Sequence, residues 1–591
     1  MDSTTDEPIH IQWNERIVYE AETERESNYF FNSKTPVLIP NIIFRDIVGA
    51  FADLDKKGEK FVQRLPTIFW FLGTLLLTFL ISRKIASKEA SLLAVSIVAL
   101  DPNLIAHSSL ATVDAAFAFG VTFFVWAAIN HSNKNTLISA AVLGLALGLA
   151  FSAKFSGAIL ALSLPLILLL GKPKSNLLNL SGNVLILGLS TIATINFAYL
   201  FNGSFEVPNP ENFQTSLFKS LSQHLGFALS LVPLDFWTGL DRCLYDDETR
   251  VWAISILGEF HNKPIWYYFL FLWFVKTPFI VVGTSLTSLF YLLRSKKLWQ
   301  VKEIRYIFSL LVFCLLYFSL IFKTQIGYRY TLFIVPLVAC LIASALRPWA
   351  MKPAVSMLAL SAIILELGLF TGNPISFTNS FILPKRSAYK YISDSNIDWR
   401  QNYHSIKKAR SRPDLQNSIV DPIHILPGTN LIRHNVLTGV WSQRFSYEWL
   451  RNKREPREHI NHTHLVYDIS DKDFDQFLEE SRSPESIEFD RARCLVTYKT
   501  SEISDKKLRL PKASNATFGG NTCFEVDKST VIKFSTQFRS LHFGVRNKND
   551  QCLYEEVPAG KEIWYKLKPG FHSFCLYTKN NSFGVLELDA R

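Results

Sequence analysis

Two adjacent carboxylates, Asp6 and Glu7, stand near the head of the chain, with Pro8 fixing the backbone after them. Further along, single ionisable residues recur at the margins of long apolar runs: Asp101, Asp114, Lys154, Lys276 and Arg329. Such groups at membrane depth are costly and usually functional. Carboxylates and cations together suit one kind of chemistry: the cations hold a departing phosphate while a carboxylate takes a proton from the incoming nucleophile. Arg329, between Tyr328 and Tyr330, can hold two phosphate oxygens in a fork, whereas Lys154 and Lys276 act as point charges.

Each of these residues also has an ordinary reading. STTDEP reads as a helix cap before IHIQWNERIVYE, with Asp6 as N-cap and Glu7 favoured by the helix N-terminus. Asp114 could cap the span it opens, and Asp101 before Pro102 suits a turn. The three cations could simply snorkel to headgroups. Glu259 and His261, with Asp246, Asp247 and Glu248 nearby, could meet substrate or a divalent cation, or belong to a commonly acidic loop; their spacing matches no dedicated metal site. His107 and His224 have no partner that spacing reveals and are read as core or surface residues.

The elements that must position these groups are mostly membrane spans. Of 591 residues 48% are hydrophobic and 47 are Phe, yet mean hydropathy is only +0.14, because an apolar part, 65–371, is averaged with a charged part, 375–591. Spans of roughly 17–25 apolar residues are predicted at 65–81, 89–104, 114–130, 136–152, 155–171, 178–201, 265–293, 304–322, 330–346 and 353–371. The shortest clean core is that of 89–104. The net charge of +11 does not point to nucleic acid. Outside the C-terminal part most of the excess falls in short loops: SRKIASK (82–88), HSNKN (131–135), GKPK (171–174), RSKKLWQVKEIR (294–305) and RPWAMK (347–352). Those loops should be cytoplasmic. Residues 1–64, the loop 202–264 and the whole of 375–591 then lie outside, on the face that carries the ionisable residues. An outer N-terminal segment of this length calls for a leading helix, and Met1 begins none; one upstream span is expected to be missing, giving eleven in the full protein.

The motifs on that outer face resemble, in chain order, those of the polyprenyl-phosphate-sugar-dependent glycosyltransferases of the GT-C fold, the protein O-mannosyltransferase-like family 39. Asp6-Glu7-Pro8 looks like the family's first-loop acidic motif and LATVDAAFAFG (110–120) like its second-loop acid. LALGLAFSAKFSG (145–157), ILGEFHNKPIWYYFLFLWFVKTP (256–278), IGYRYTLFIVP (326–336) and YISDSNIDWRQN (391–402) resemble four further stretches. The likeness covers roughly residues 1–470. Two departures stand out: SKTPVL (33–38) replaces a His-Pro-Pro or Lys-Pro-Pro, and Arg400 replaces a common Gly, a change expected to touch only the soluble domain.

The resemblance implies a multispanning helical bundle with an extracytoplasmic C-terminal region, and an inverting transfer of one sugar, mannose being the family's commonest. The donor would be a polyprenyl-phosphate-linked sugar in the lipid bilayer, and the acceptor a hydroxyl on a protein, lipid or glycan. Asp6 would be the general base, with Glu7 and Asp114 assisting; Lys154, Lys276, Arg329 and Tyr330 would hold the phosphate. No cofactor is assigned with certainty, and a divalent cation stays open. Two rival readings are a transporter or flippase, which predicts internal repeats and mid-span charges, and a non-catalytic binding protein. No clear repeat is present, and Glu366 is the main mid-span charge.

The C-terminal part is read as an α/β region, 375–500, with YISDSNIDWRQNYHSIKKAR as a helix, followed by a β-rich module, 501–591. Cys494, Cys523, Cys552 and Cys575 could form two disulfides in any of three connectivities, or stay free. Asn202, Asn461, Asn515 and Asn580 head glycosylation sequons.

Overall fold

In a computed structural model of the chain, the backbone is described for residues 2–19, 34–170, 177–346, 353–421, 425, 428–441, 447–480 and the strands between 494 and 589. The chain divides into two units, Met1–His404 and Ser405–Arg591. Within the first unit, helices occur in all ten stretches expected to span. They follow two shorter helices, α1 (Glu7–Tyr19) and α2 (Ile39–Phe51). The bundle comprises α3 (Lys56–Ile85), α4 (Lys88–Ala99), α5 (Pro102–Ser108), α6 (Asp114–Lys134), α7 (Leu137–Ala153), α8 (Ala158–Ser163) and α9 (Leu177–Ala198). It continues, after helices α10 (Ser216–Leu229) and α11 (Leu234–Thr249), with α12 (Tyr268–Lys276), α13 (Phe279–Arg294), α14 (Lys296–Trp299), α15 (Lys302–Leu320), α16 (Ile334–Ala345) and α17 (Pro353–Gly368).

Among the described residues four helices are long and apolar enough to cross a membrane, and a fifth if the bent pair α4–α5 is one span. The other expected spans are shorter or broken. The 89–104 stretch bends by 60° between α4 and α5, because Asp101 caps α5 through its Oδ1, which accepts from the Asn103 and Leu104 N–H groups (3.0 and 2.8 Å). That bears out its reading as a turn residue. The 265–293 stretch breaks between α12 and α13 at Thr277-Pro278, where proline cannot continue the hydrogen-bond ladder.

The α6–α7 hairpin sets the first part of the site. Asn135, in the left-handed region at φ 47°, ends α6, and Thr136 opens α7 with a capping box to Ser139. The return is therefore immediate, so the first residue of α6 and the residue after α7 meet at one end of the pair. Small residues let the helices close up: a Cβ on Gly144 would lie 2.2 Å from the Leu187 carbonyl oxygen of α9. Behind them one buried core joins apolar residues of α3, α4, α6, α7, α12, α15 and α16, with Phe117, Phe124, Phe269, Phe318 and Phe333 fully buried.

Residues 369–404 belong to this first unit, whereas the sequence placed 375 onward with the soluble part. The expected helix over 391–410 is also corrected: only Tyr403–Ala409 is helical. Its first half is a 3-10 turn, Asp394–Asn396, and an irregular run to Asn402, with Asp394 and Arg400 at φ 62° and 65°. A left-handed position costs a non-glycine residue roughly 1–2 kcal/mol, which accounts for the glycine common there in the resembled motif.

In the second unit a four-stranded mixed sheet runs in the order 419–420, 428–433, 464–469, 458–460. A second four-stranded sheet, all antiparallel, pairs 562–567, 530–535, 585–589 and 507–509 in that order. A five-stranded sheet runs 552–557, 541–546, 570–578, 521–526, 494–499, its last pair parallel. The β-rich module expected from the sequence is thus present. The thiols of Cys494, Cys523, Cys552 and Cys575, and the sequons at Asn515 and Asn580, lie outside the described side chains.

Replacing Arg400 with Gly should stabilise the purified protein by about 1 kcal/mol through relief of the left-handed strain. Thermal unfolding in detergent measures it, and a lowered midpoint contradicts the strain assignment.

Candidate active site

Asp6 occupies the N-cap position of α1, and its carbonyl accepts the His10 N–H. Its carboxylate turns away from the helix, however, and Arg329 Nη1 donates to Oδ2 at 2.8 Å. Arg329 is brought there by a 3-10 turn, Tyr328–Thr331, that enters α16. Its guanidinium lies 4.2 Å from the ring centre of Trp399 and 5.5 Å from that of Tyr330. The opposite side of Tyr330's neighbourhood is closed by Lys154, whose Nζ is 4.2 Å from the ring centre. Lys154 in turn donates to Asp114 Oδ1 at 2.8 Å. His107 Nδ1 is 3.1 Å from Asp114 Oδ2, close but out of line for a hydrogen bond, and the His107 ring packs on Trp399 at 5.6 Å. Arg329, Tyr330, Lys154, Asp114, His107 and Trp399 therefore form a closed ring of contacts with Asp6 attached to it.

Two further groups face Asp6. His10 is buried, and burial, reinforced by Lys34, lowers its pKa to about 3, so it is neutral at pH 7 with Nδ1 unsatisfied. Lys34 stands near enough for its charge to act on Asp6, Arg329 and Asp114, yet among the described residues its ammonium has no hydrogen bond or ion pair. Burial alone would raise the Asp6 carboxyl; Arg329, Lys34 and His10 override it and hold the pKa at about 2. The charges of Asp6 and Asp114 cancel those of Arg329 and Lys154. Lys34 is the surplus cation, offset only in part by Asp394, whose carboxyl burial raises to about 7. Arg329 also keeps its Nε buried with no hydrogen-bond partner. Two cationic donors are thus unspent in the same place.

Of the residues singled out in the sequence, Asp6, Asp114, Lys154, Arg329 and Tyr330 come together. Asp114 is the first residue of α6 and makes no cap; Val113 holds the N-cap position. Glu7 and Lys276 stand apart from the ring. Glu7 is only 1% exposed, with Arg64 donating to both oxygens (2.7 and 2.6 Å) and the Ala111 N–H to Oε1 (2.9 Å). It ties α1 to α3 and to the turn before α6, and has no oxygen turned to Asp6. Lys276, also 1% exposed, donates to the backbone oxygens of Ile375 and Asn396, both at 2.7 Å. Both side chains are engaged by protein partners. Glu259 and His261 share a short hairpin strand, 3.6 Å apart, with Glu259 exposed. Among the described residues no group of three or more His, Cys, Asp or Glu is placed to hold a metal.

Sequence reasoning missed Lys34, His10, His107 and Trp399. Lys34 sits in SKTPVL, which was read as a departure although it keeps a Lys and a Pro of the expected motif. His107 was read as a core or surface residue. Nothing in its spacing announces the contacts with Asp114 and Trp399.

The fold and site together describe a helical membrane protein whose charged groups gather at the ends of its helices around a compensated cluster with cationic donors to spare. Residues 46–199 match the family described as dolichyl-phosphate-mannose-protein mannosyltransferase. The match covers α3 through α9 and bears out the resemblance drawn from the motifs. Comparison with curated proteins gives no match. Among solved structures the chain is similar to the oligosaccharyltransferase of Archaeoglobus fulgidus tethered with an acceptor peptide, at 14% identity and TM-score 0.36 over 65% of this chain and 50% of that one. The same enzyme in complex with Zn and sulfate gives 11% identity and TM-score 0.38 over 99% and 92%. The chain spans about half the length of the first of these.

Removing the Glu7 carboxylate by Glu7→Ala takes away the ion pair with Arg64 and the acceptor of the Ala111 N–H in the interior, at a cost of about 3–5 kcal/mol. Asp6→Asn keeps a side-chain oxygen that can accept from Arg329 and should cost clearly less. Thermal unfolding of the two variants side by side separates the roles; equal losses contradict them.

Proposed function

We propose that the chain is an integral-membrane glycosyltransferase that moves one sugar from a polyprenyl phosphate to a hydroxyl acceptor on the extracytoplasmic face, with inversion. The observation that carries this reading is the pair of unspent donors, Arg329 Nε and the Lys34 ammonium, beside a carboxylate in an otherwise charge-compensated cluster. A glycosyl phosphodiester brings one negative charge, which a surplus cation complements. The family match on 46–199 supports the same class and makes mannose the first sugar to try. The basic loops support an extracytoplasmic site.

The resting geometry bears on mechanism. A carboxylate held at about 2 by its cations is a weak base. The donor phosphate competes for those same cations. As it takes hydrogen bonds from Arg329 and Lys34, Asp6 loses its partner, burial raises its pKa, and it becomes able to accept a proton. The acceptor oxygen then attacks the anomeric carbon from the face opposite the phosphate. The C1–O bond to phosphate breaks, its electron pair leaves with the polyprenyl phosphate, and the acceptor proton passes to Asp6. Charge stays balanced: the carboxylate is neutralised as the leaving phosphate gains a charge, under the same cations. Asp114, paired with Lys154, keeps that cation in place and holds it against Tyr330.

Transfer from a polyprenyl-phosphate sugar in membranes tests the reading. Asp6→Asn should lose transfer by about 10²–10⁴-fold at equal folded amount, and Lys34→Met should raise the donor KM by roughly tenfold or more. Absence of transfer from any polyprenyl carrier by well-folded protein contradicts the proposal. The pH dependence has a definite sign. With the donor absent Asp6 stays ionised down to about pH 2–3, so kcat/KM should show no acidic limb above that. In the donor complex its pKa is raised, so the acidic limb of kcat should lie at higher pH than that of kcat/KM.

A further inference from the structure

The segment 393–401 touches both halves of the Asp6–Arg329 pair, although they are 323 residues apart. On one side the Trp399 carbonyl accepts the Thr5 N–H (3.1 Å), and the Gln401 carbonyl accepts the Asp2 N–H (3.1 Å), fixing the chain that leads into Asp6. On the other side Asn396 Oδ1 accepts the Tyr328 N–H at 2.8 Å and Ser395 Oγ donates to the Ile326 carbonyl, so both flanks of Arg329 are held. The fit there is close: a Cβ on Gly327 would lie 2.2 Å from Ser395 Oγ. In the middle the Trp399 indole, 3% exposed, supports the Arg329 guanidinium and the His107 ring. The segment itself is pinned from beneath by Lys276, which donates to the Asn396 carbonyl, and by Gln401, whose Nε2 donates to the Ile397 carbonyl at 2.9 Å and to Asn373 Oδ1 at 3.0 Å.

We propose that residues 393–401 are a positioning bracket for the base–arginine pair, in which Trp399 fixes the guanidinium and Asn396 fixes the turn that carries it. The inference rests on the transferase reading of the site and assigns the bracket no contact with substrate. It gives Lys276 a purpose in place of phosphate binding, as the anchor of the bracket. It also explains why a soluble-looking motif belongs to the membrane unit.

A bracket acts through Arg329 on Asp6, so its loss changes the base as well as the stability. The groups that face Asp6 are Arg329 and Tyr330 from the turn, Lys34 before α2, His10 of α1, Lys154 after α7, and Asp394 of the bracket itself. Only Arg329 is held by Trp399. Freeing it should let the carboxyl rise toward its ordinary value of about 3.9.

The test uses the full chain with Trp399→Leu, Trp399→Phe and Asn396→Ala. Hydrogen exchange is read first because it needs no activity: Asn396→Ala should speed exchange at the Tyr328 amide by at least about tenfold, with distant helices unchanged. In the transfer assay Trp399→Leu should lower kcat/KM about 10–100-fold and bring an acidic limb up by about one pH unit or more. Trp399→Phe keeps a ring face for the guanidinium and should restore most of the rate and the unshifted profile. Exchange at 326–330 that does not change in Asn396→Ala overturns the bracket whether or not the protein transfers sugar. An unmoved pH profile in Trp399→Leu, with activity lost only in step with folded protein, also overturns it. Wild-type transfer in the same membranes separates the two claims: if it is absent the transferase reading falls, and the exchange result still decides the bracket.

Discussion

One ion pair, Asp6 with Arg329, organises one end of the helical bundle. It joins a carboxylate at the start of α1 to a guanidinium on the turn entering α16, and it is partly withdrawn from water. Pairs of this kind are poor stabilisers, because desolvating the two charges costs about what their attraction returns. What the pair gives is position and a poised charge state. Asp6 stays ionised, and Arg329 is aimed and only partly satisfied. Every other part of the cluster can be read as keeping that state: Trp399 beneath the guanidinium, Tyr330 beside it, and Lys154 held by Asp114.

The bundle serves this end by where its helices stop. The α6–α7 hairpin returns at once through Asn135 and Thr136, so Asp114 and Lys154 meet at its open end. The bend between α4 and α5, capped by Asp101, lets α5 carry His107 toward the same end. The break at Thr277-Pro278 leaves Lys276 inside the protein, under the bracket rather than in a lipid-facing span. Charged residues that look like flaws in apolar segments are thus placed at helix ends, where backbone carbonyls and opposite charges can meet them.

Much of this was legible in the sequence. Apolar runs located all ten helical stretches, and the order of the motifs assigned Asp6, Asp114, Lys154, Arg329 and Tyr330 to one face, where the structure gathers them. Other contacts were not legible, for physical reasons. Glu7 next to Asp6 shares its motif, but its carboxylate is taken by Arg64. Lys276 has the spacing of a headgroup cation, yet its ammonium is spent on two carbonyls that lie about a hundred residues further along. Periodicity cannot show such contacts. The helix expected over YISDSNIDWRQNYHSIKKAR loses its first half to the left-handed residues Asp394 and Arg400, whose conformation no pattern announces. Trp399 and Lys34 lacked any local signal beyond their motifs.

In the mechanism we propose, the donor's phosphate takes Arg329 from Asp6 and thereby makes the carboxylate a base. An experimental structure of the full chain with a polyprenyl phosphate bound tests it most directly. Phosphate oxygens should lie within hydrogen-bond reach of Arg329 and Lys34, with the Asp6 carboxylate released from the guanidinium and open to the acceptor side. A phosphate bound elsewhere, with the Asp6–Arg329 contact intact at 2.8 Å, would contradict it.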